Sequence, residues 1–173
     1  MSSESNPPFR IGLGYDVHRW ADNRDLILGG VRISHTAGLL GHSDADVLTH
    51  AVMDALLGSV NLGDIGQHFL DTDNRYKDAR SVLLLEQVVN LVKKEGYVTS
   101  NVDCVVVAEE PKISPHIASI RESLAKHLRV SEHCVSVKAT TTEGLLHAGP
   151  SGGMACYAVV LVAHVEQKNG GKL

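Results

Sequence analysis

Asp16 and His18 stand two residues apart in a run of alternating character from Phe9 to His18. Phe9, Ile11, Leu13, Tyr15 and Val17 share one parity, and Arg10, Gly12, Gly14, Asp16 and His18 share the other. On a strand, side chains two apart project from the same face, so the carboxylate and the imidazole point together. Downstream, Gly41-His42-Ser43-Asp44-Ala45-Asp46-Val47-Leu48-Thr49-His50 reads as a turn running into a helix. On that helix Asp46, His50 and Asp54 fall at i, i+4 and i+8 along one polar edge. If the helix packs on the strand, His50 completes an Asp-x-His…His set. Three such ligands are the number a catalytic zinc takes while keeping one position open, where a phosphate oxygen would be polarised. The competing reading is three ordinary histidines and aspartates among the chain's ten histidines, since no CxxC or HExxH fingerprint is present.

Other segments carry weaker signals. Ser43 ahead of Asp46 resembles a helix N-cap, and a helix N-terminus with His42 beside it suits a phosphoryl group. Lys138-Ala139-Thr140-Thr141-Thr142-Glu143-Gly144 ends a strand with three hydroxyls and a carboxylate. Glu143 is the ligand type magnesium or manganese takes, although Thr140-x-x-Glu143 also reads as a capping box. Ala108-Glu109-Glu110-Pro111-Lys112 follows another strand, where α/β proteins often place ligands. There is no P-loop, and Gly12-x-Gly14 lacks a third glycine.

These residues need elements to hold them. Strands are expected at Phe9–His18 and at Leu26–Ile33, the latter with a bulge or kink at Gly29-Gly30. A helix is expected from Ser43 or Asp44 to Leu57, stopped by Gly58. A second helix should span Asp78–Glu95 and a third Pro115–Leu128. Further strands are expected at Asn101–Ala108, Val135–Thr140 and Met154–Val165. The order β-β-α-α-β-α-β-β gives an α/β (α+β) sandwich, a mixed and mainly four-stranded sheet with helices on one face. Asn61–Lys77 is too long and acidic for a simple turn and reads as a functional loop. Residues 1–8 read as a disordered lead-in, 9–166 as a single domain and 167–173 as a flexible tail.

Composition narrows the classes. The 173 residues are 43% hydrophobic and 21% charged, which is globular. A net charge of −4 without a basic stripe, with only 4% aromatic residues, argues against nucleic-acid binding. Three cysteines without paired spacing fit a reducing compartment, and no apolar run reaches membrane-spanning length. A cytoplasmic, bacterial location is expected.

Taken together, Gly14-Tyr15-Asp16-Val17-His18, Gly41-His42-Ser43-Asp44-Ala45-Asp46, Asp54-Ala55-Leu56-Leu57-Gly58, Gly63-Asp64-Ile65-Gly66, Asp71-Thr72-Asp73, Pro111-Lys112 and Lys138-Ala139-Thr140-Thr141-Thr142-Glu143 resemble the 2-C-methyl-D-erythritol 2,4-cyclodiphosphate synthase family. The resemblance runs from Arg10 to about Val165. It implies a lyase of the non-mevalonate route that cyclises 4-diphosphocytidyl-2-C-methyl-D-erythritol 2-phosphate and releases CMP. It implies a homotrimer with active sites between subunits. Asp16, His18 and His50 would hold zinc, and Glu143 would hold magnesium or manganese on the substrate diphosphate. His42 and Thr141 would stabilise the transition state. Ser43, Asp64, Ile65, Gly66 and the segment Phe69, Leu70, Asp71, Thr72, Asp73 would shape the methylerythritol pocket. Ala108, Pro111, Lys112 and Ile113, with Thr140 and Thr142, would hold the cytidine and its phosphates. Two departures stand out. Pro150 and Gly152 replace an arginine and a glutamate that in relatives lie near the trimer axis, where isoprenoid diphosphates bind. Glu109-Glu110 is more acidic than the usual cytidine loop. A zinc phosphohydrolase and a non-catalytic metal-knit protein are the competing functions.

Overall fold

The computed structural model describes residues 6–144 and 152–165. Strand β1 (Phe9–Ala21) leads into a hairpin of β2 (Leu26–Leu28) and β3 (Val31–Ile33), then a two-residue β4 (Gly38–Leu39). Helix α1 (Val47–Ser59), a short α2 (Ile65–His68) and α3 (Ser81–Lys94) follow. Then come β5 (Tyr97–Val107), α4 (Ile117–Leu128), β6 (Val135–Thr140) and β7 (Gly153–His164). Five strands form one mixed sheet in the order β4-β1-β7-β5-β6, parallel only between β5 and β6. The sheet has five strands, not the expected four: β1, β5, β6 and β7 correspond to expected strands, and β4 joins them by pairing with the extension of β1 beyond His18, at Trp20 and Ala21.

One face of this sheet carries the helices. Gly12 and Gly14 lie under α1, and a Cβ on either would overlap the carbonyl oxygens of Ala55 and Ala51. The absence of side chains there lets the helix sit directly on the strand. Val102, Cys104 and Val106 of β5, and Cys156, Ala158, Val160 and Val162 of β7, are buried beneath the same layer. They pack with Leu48, Val52, Leu56, Leu85, Val88, Ile120 and Leu124 in one aliphatic core. The opposite parity of β1 is apolar yet open: Ile11 is 74% exposed and Leu13 69%. Tyr15 and Tyr157, partners in the β1–β7 register, meet on that open face with ring centroids 4.8 Å apart and planes tilted by 43°. The usual inside–outside polarity of an amphipathic strand is thus inverted along β1.

Several boundaries differ from expectation for physical reasons. The expected strand Leu26–Ile33 is a hairpin forming its own two-stranded sheet, because Gly29 and Gly30 (φ 59° and 75°) make a tight turn instead of a bulge. Helix α1 is capped by Asp46, not Ser43, and Gly58 lies inside it, one residue before its end. The second helix starts at Ser81, since Asp78 has φ 55°. The third opens with a 3₁₀ turn, Ser114–His116, before α4. Strand β5 begins at Tyr97, four residues early, across an irregularity at Thr99/Asn101. The loop Asn61–Lys77 contains α2 and a 3₁₀ turn, Asn74–Tyr76. The expected tail at 167–173, most of the lead-in, and Pro150 lie outside the described residues.

Asp46 fastens this arrangement. Its fully buried carboxylate accepts from Thr49 N (3.0 Å) and Thr49 Oγ1 (2.7 Å), capping α1. It also accepts from Gly29 N (2.9 Å) and Gly30 N (2.7 Å), clamping the hairpin turn onto the helix start. Removing it strands four donors, three of them backbone. We expect Asp46→Ala to lower unfolding stability by about 3 kcal/mol or more, read by urea denaturation. A change within about 0.5 kcal/mol would show that the clamp is dispensable.

Candidate metal centre and substrate cavity

Asp16 and His18 reach the helix-facing side of β1, and His50 descends to them from the second turn of α1. The close seat of α1 on Gly12 and Gly14 is what brings the two elements within side-chain reach. Asp16 Oδ2 lies 2.9 Å from His18 Nε2 and 3.0 Å from His50 Nδ1, and the two imidazole nitrogens are 3.0 Å apart. Among the described residues this is the one group of histidine, cysteine or acidic side chains whose donor atoms gather closely enough for an ion. The triangle is nearly equilateral. Zinc at about 2.1 Å from three tetrahedral donors needs edges of about 3.4 Å, so a separation of about 0.4 Å admits it. Two neutral imidazoles and one carboxylate also match zinc's preference for nitrogen with one oxygen.

Electrostatics agree with geometry. Burial alone would raise the Asp16 carboxyl, but hydrogen bonds from His18 and His50 and their positive charge outweigh it and hold it well below the usual carboxylate range. Burial likewise would lower His50, yet the hydrogen bond and charge of Asp16, with Asp46 and Asp44 behind, push it above its ordinary value. Three groups built to share positive charge make a cation's binding site when protons leave.

The triad lines a cavity of about 230 Å³ together with His42, Ser43, Ile65, Gly66, Phe69 and Asp71. Of the expected methylerythritol residues, five (Ser43, Ile65, Gly66, Phe69 and Asp71) are brought together at the triad, with His42, expected at the transition state, beside them. His42 Nε2 lies 3.3 Å from Asp73 O, tying the turn before α1 to the far end of the loop. Asp64, Leu70, Thr72 and Asp73 are not on the cavity wall. Asp64 caps α2 through Gln67 N, and the Asp73 carboxylate is engaged by Arg75. Asp54 fixes that loop by accepting from Ile65 N at 2.8 Å. Met53, Tyr76 and Leu84 complete the wall. They carry no chemical signal in sequence, only apolar bulk.

The second set of expected residues lies elsewhere. Thr140 ends β6 and Thr141, Thr142 and Glu143 follow it, beside Ala108, Pro111, Lys112 and Ile113 after β5. Val17, Ala155, Val107 and Thr140 share one row across the sheet. Thr140 is therefore three strand spacings from β1, about 14 Å. Glu143 accepts from Thr141 Oγ1 (2.8 Å), and no capping box forms at Thr140. Glu109 Oε1 accepts from Thr142 N (2.8 Å) and Thr142 Oγ1 (2.6 Å), so this acidic departure braces the two loops against each other. Within one chain the structure thus divides the expected site into two halves.

Comparison with known proteins decides the family. A YgbB family profile matches residues 9–163. The chain belongs to the YgbB family. The 2-C-methyl-D-erythritol 2,4-cyclodiphosphate synthase of Syntrophomonas wolfei is 56% identical over 153 residues, covering 88% of this chain and 98% of that protein. A solved synthase of the same name in its CDP-bound form superposes with a TM-score of 0.81 at 37% identity, covering 88% of this chain and 99% of its own. The bifunctional IspDF of Campylobacter jejuni gives a TM-score of 0.86 at 41% identity over 90% of this chain, which spans 42% of that longer protein. The fold and the enzymatic family therefore agree with the resemblance seen in sequence.

The charge arrangement gives a signed prediction for metal-free protein. His50 is raised, so its ion pair stabilises fully below the unfolded value of about 6.5 and is lost as pH climbs through the folded value. Asp16 is depressed, so its share is present above about 3.8 and is lost only at strongly acidic pH. In chelator, Asp16→Asn should therefore cost about 2 kcal/mol at pH 5.5, and that cost should shrink as pH is raised through the folded His50 value, measured by thermal unfolding across a pH series. A cost that stays constant across the whole series would contradict the ion-pair account.

Proposed function

We propose that this chain cyclises 4-diphosphocytidyl-2-C-methyl-D-erythritol 2-phosphate to 2-C-methyl-D-erythritol 2,4-cyclodiphosphate with release of CMP. The observation that carries the proposal is the Asp16, His18 and His50 triangle opening into a cavity walled by His42 and Ser43, on a chain of that synthase family. The substrate's 2-phosphate oxygen attacks the β-phosphorus. A new P–O bond forms there as the bond from the β-phosphorus to the oxygen of CMP breaks, and CMP departs with that electron pair. No protein nucleophile is required. Asp16, His18 and His50 would hold a divalent ion, zinc by the ligand set, which when bound would supply positive charge against the repulsion between the approaching phosphates. His42 lines the wall beside the triad, placed to donate to a phosphoryl oxygen, while Ile65, Gly66 and Phe69 orient the methylerythritol and exclude water. Such work is alignment and charge compensation.

The nucleotide half of the substrate needs a second surface. A cavity of about 230 Å³ is smaller than the roughly 300–1,000 Å³ of small-molecule pockets. The 14 Å within-chain gap to Thr140 leaves Thr141 and Glu143 too far to act on the same diphosphate. The resemblance implies a trimer, and the open face of Ile11, Leu13, Tyr15, Val17, Tyr157 and Val159 supports one. A neighbour packed there can bring its Thr140–Glu143 and Ala108–Ile113 loops, including Pro111 and Lys112, to this chain's triad. Thr140 and Thr142 then serve the cytidine phosphates, Thr141 the transition state, and Glu143 a magnesium or manganese ion. No helix among the described residues is long and apolar enough to cross a membrane, and a cytoplasmic location completes this reading.

Two experiments test it. His18→Ala should abolish CMP release with the circular dichroism spectrum retained, and solvent ¹⁸O should not enter the product; turnover by the variant removes His18 from the ion site, and label in the product indicates hydrolysis. Leu13→Asp, at the open face, should convert three associated 18.6 kDa chains to monomers in sedimentation velocity and abolish activity. A monomeric wild type, or full activity in a monomeric variant, would contradict the shared site.

A further inference from the structure

Behind the triad lies a buried polar chain that runs through Ser43 and Ser81 to Asp44. His50 turns Nδ1 to Asp16 and His18 and its other nitrogen, Nε2, inward. Nε2 is 2.9 Å from Ser81 Oγ, at the first residue of α3, and 3.1 Å from Ser43 Oγ. Ser81 Oγ is in turn 2.5 Å from Asp44 Oδ1, and Ser81 N donates to Asp44 Oδ2 at 3.1 Å. Ser81 is wholly buried, and Ser43 and His50 nearly so.

Only one arrangement of protons makes every contact of this chain a hydrogen bond. An ionised carboxylate only accepts, so the single Ser81 hydroxyl proton goes to Asp44, the shortest contact. Ser81 Oγ then offers lone pairs alone to its other neighbours. Ser43, 3.1 Å away, can donate its own proton to Ser81. For the 2.9 Å contact to be a hydrogen bond, His50 Nε2 must carry a proton and donate it. In the neutral imidazole that a metal requires, this leaves the Nδ1 lone pair on the side where the triad converges. The ring nitrogen left to a metal is set by the bond the other one makes.

We infer that Asp44 and Ser81 are positioning residues that hold His50 in the Nε2–H tautomer, with Nδ1 presented as the ligand. The relay joins three elements: the turn before α1, α1 itself and the start of α3. Arg24 steadies the same turn by donating to Ser43 O at 2.5 Å. The alternative is that Asp44 merely caps α3, whose N-cap residue, Arg80, makes no side-chain cap bond. A cap alone would stabilise the helix without touching the ion.

The inference rests on the reading of Asp16, His18 and His50 as an ion site, so wild type serves as the control. Zinc affinity is measured by chelator competition for wild type, Ser81→Ala and Asp44→Asn, together with ¹⁵N-histidine NMR of the zinc-loaded proteins. Loss of affinity by about 10- to 100-fold in both variants is expected, with a slowly exchanging His50 Nε2–H signal in wild type that exchanges rapidly in Ser81→Ala. Asp44→Asn touches a less buried side chain and keeps the test open should Ser81→Ala fold poorly. Unchanged affinity in a folded variant, or zinc on Nε2 in wild type, overturns the relay and leaves the ion site standing. Failure of wild type to bind zinc overturns the ion site itself.

Discussion

The seating of α1 on β1 at Gly12 and Gly14 is the constraint from which the site follows. Any side chain there would collide with the carbonyl oxygens of Ala55 and Ala51. A helix pushed outward would carry His50 away from Asp16 and His18, whose donor atoms meet within about 3 Å. Backbone approach, and not side-chain length, makes the triangle. The glycines occupy the same strand face as the two ligands, two and four residues before Asp16. One parity of β1 therefore supplies both the close contact and the chemistry.

That division of labour has a cost on the other parity. With the helix-facing side given to glycines and ligands, the apolar residues of β1 face outward and meet the apolar outward residues of β7. A contiguous apolar patch of this kind is the mark of an interaction surface. The two halves of the expected active site lie on opposite strands of the sheet, β1 and β6. Association through the open face offers one explanation for both facts. Inside the chain, Asp46 plays a complementary part, since one buried carboxylate fixes the start of α1 and the hairpin beneath it.

Periodicity made it legible that Asp16 and His18 share one strand face and that His50 lies on a helix edge; their reading as ion ligands came from the family resemblance. Periodicity likewise made the main helices and the four long strands legible. The hairpin at Gly29-Gly30 was misread because two glycines serve a bulge and a tight turn equally well, and only the chain's return decides. Ser43 looked like a cap, but Asp46, three residues later, wins the helix N-terminus and frees Ser43 for His50. Ser81 was invisible, being thirty-one residues from His50 and meeting it only through the packing of α3 on α1. The spatial split between the Asp16 and Glu143 groups was equally hidden, since strand order across a sheet is not written in local pattern.

The claim on which all of this turns is that β1 and α1 converge on a single ion held by two imidazoles and one carboxylate. Zinc-edge X-ray absorption of protein carrying one equivalent of zinc tests it most directly. The account predicts a first shell of nitrogen and oxygen at about 2.0–2.1 Å with the outer scattering of two imidazole rings. A sulfur shell near 2.3 Å, or scattering from fewer than two rings, would contradict it.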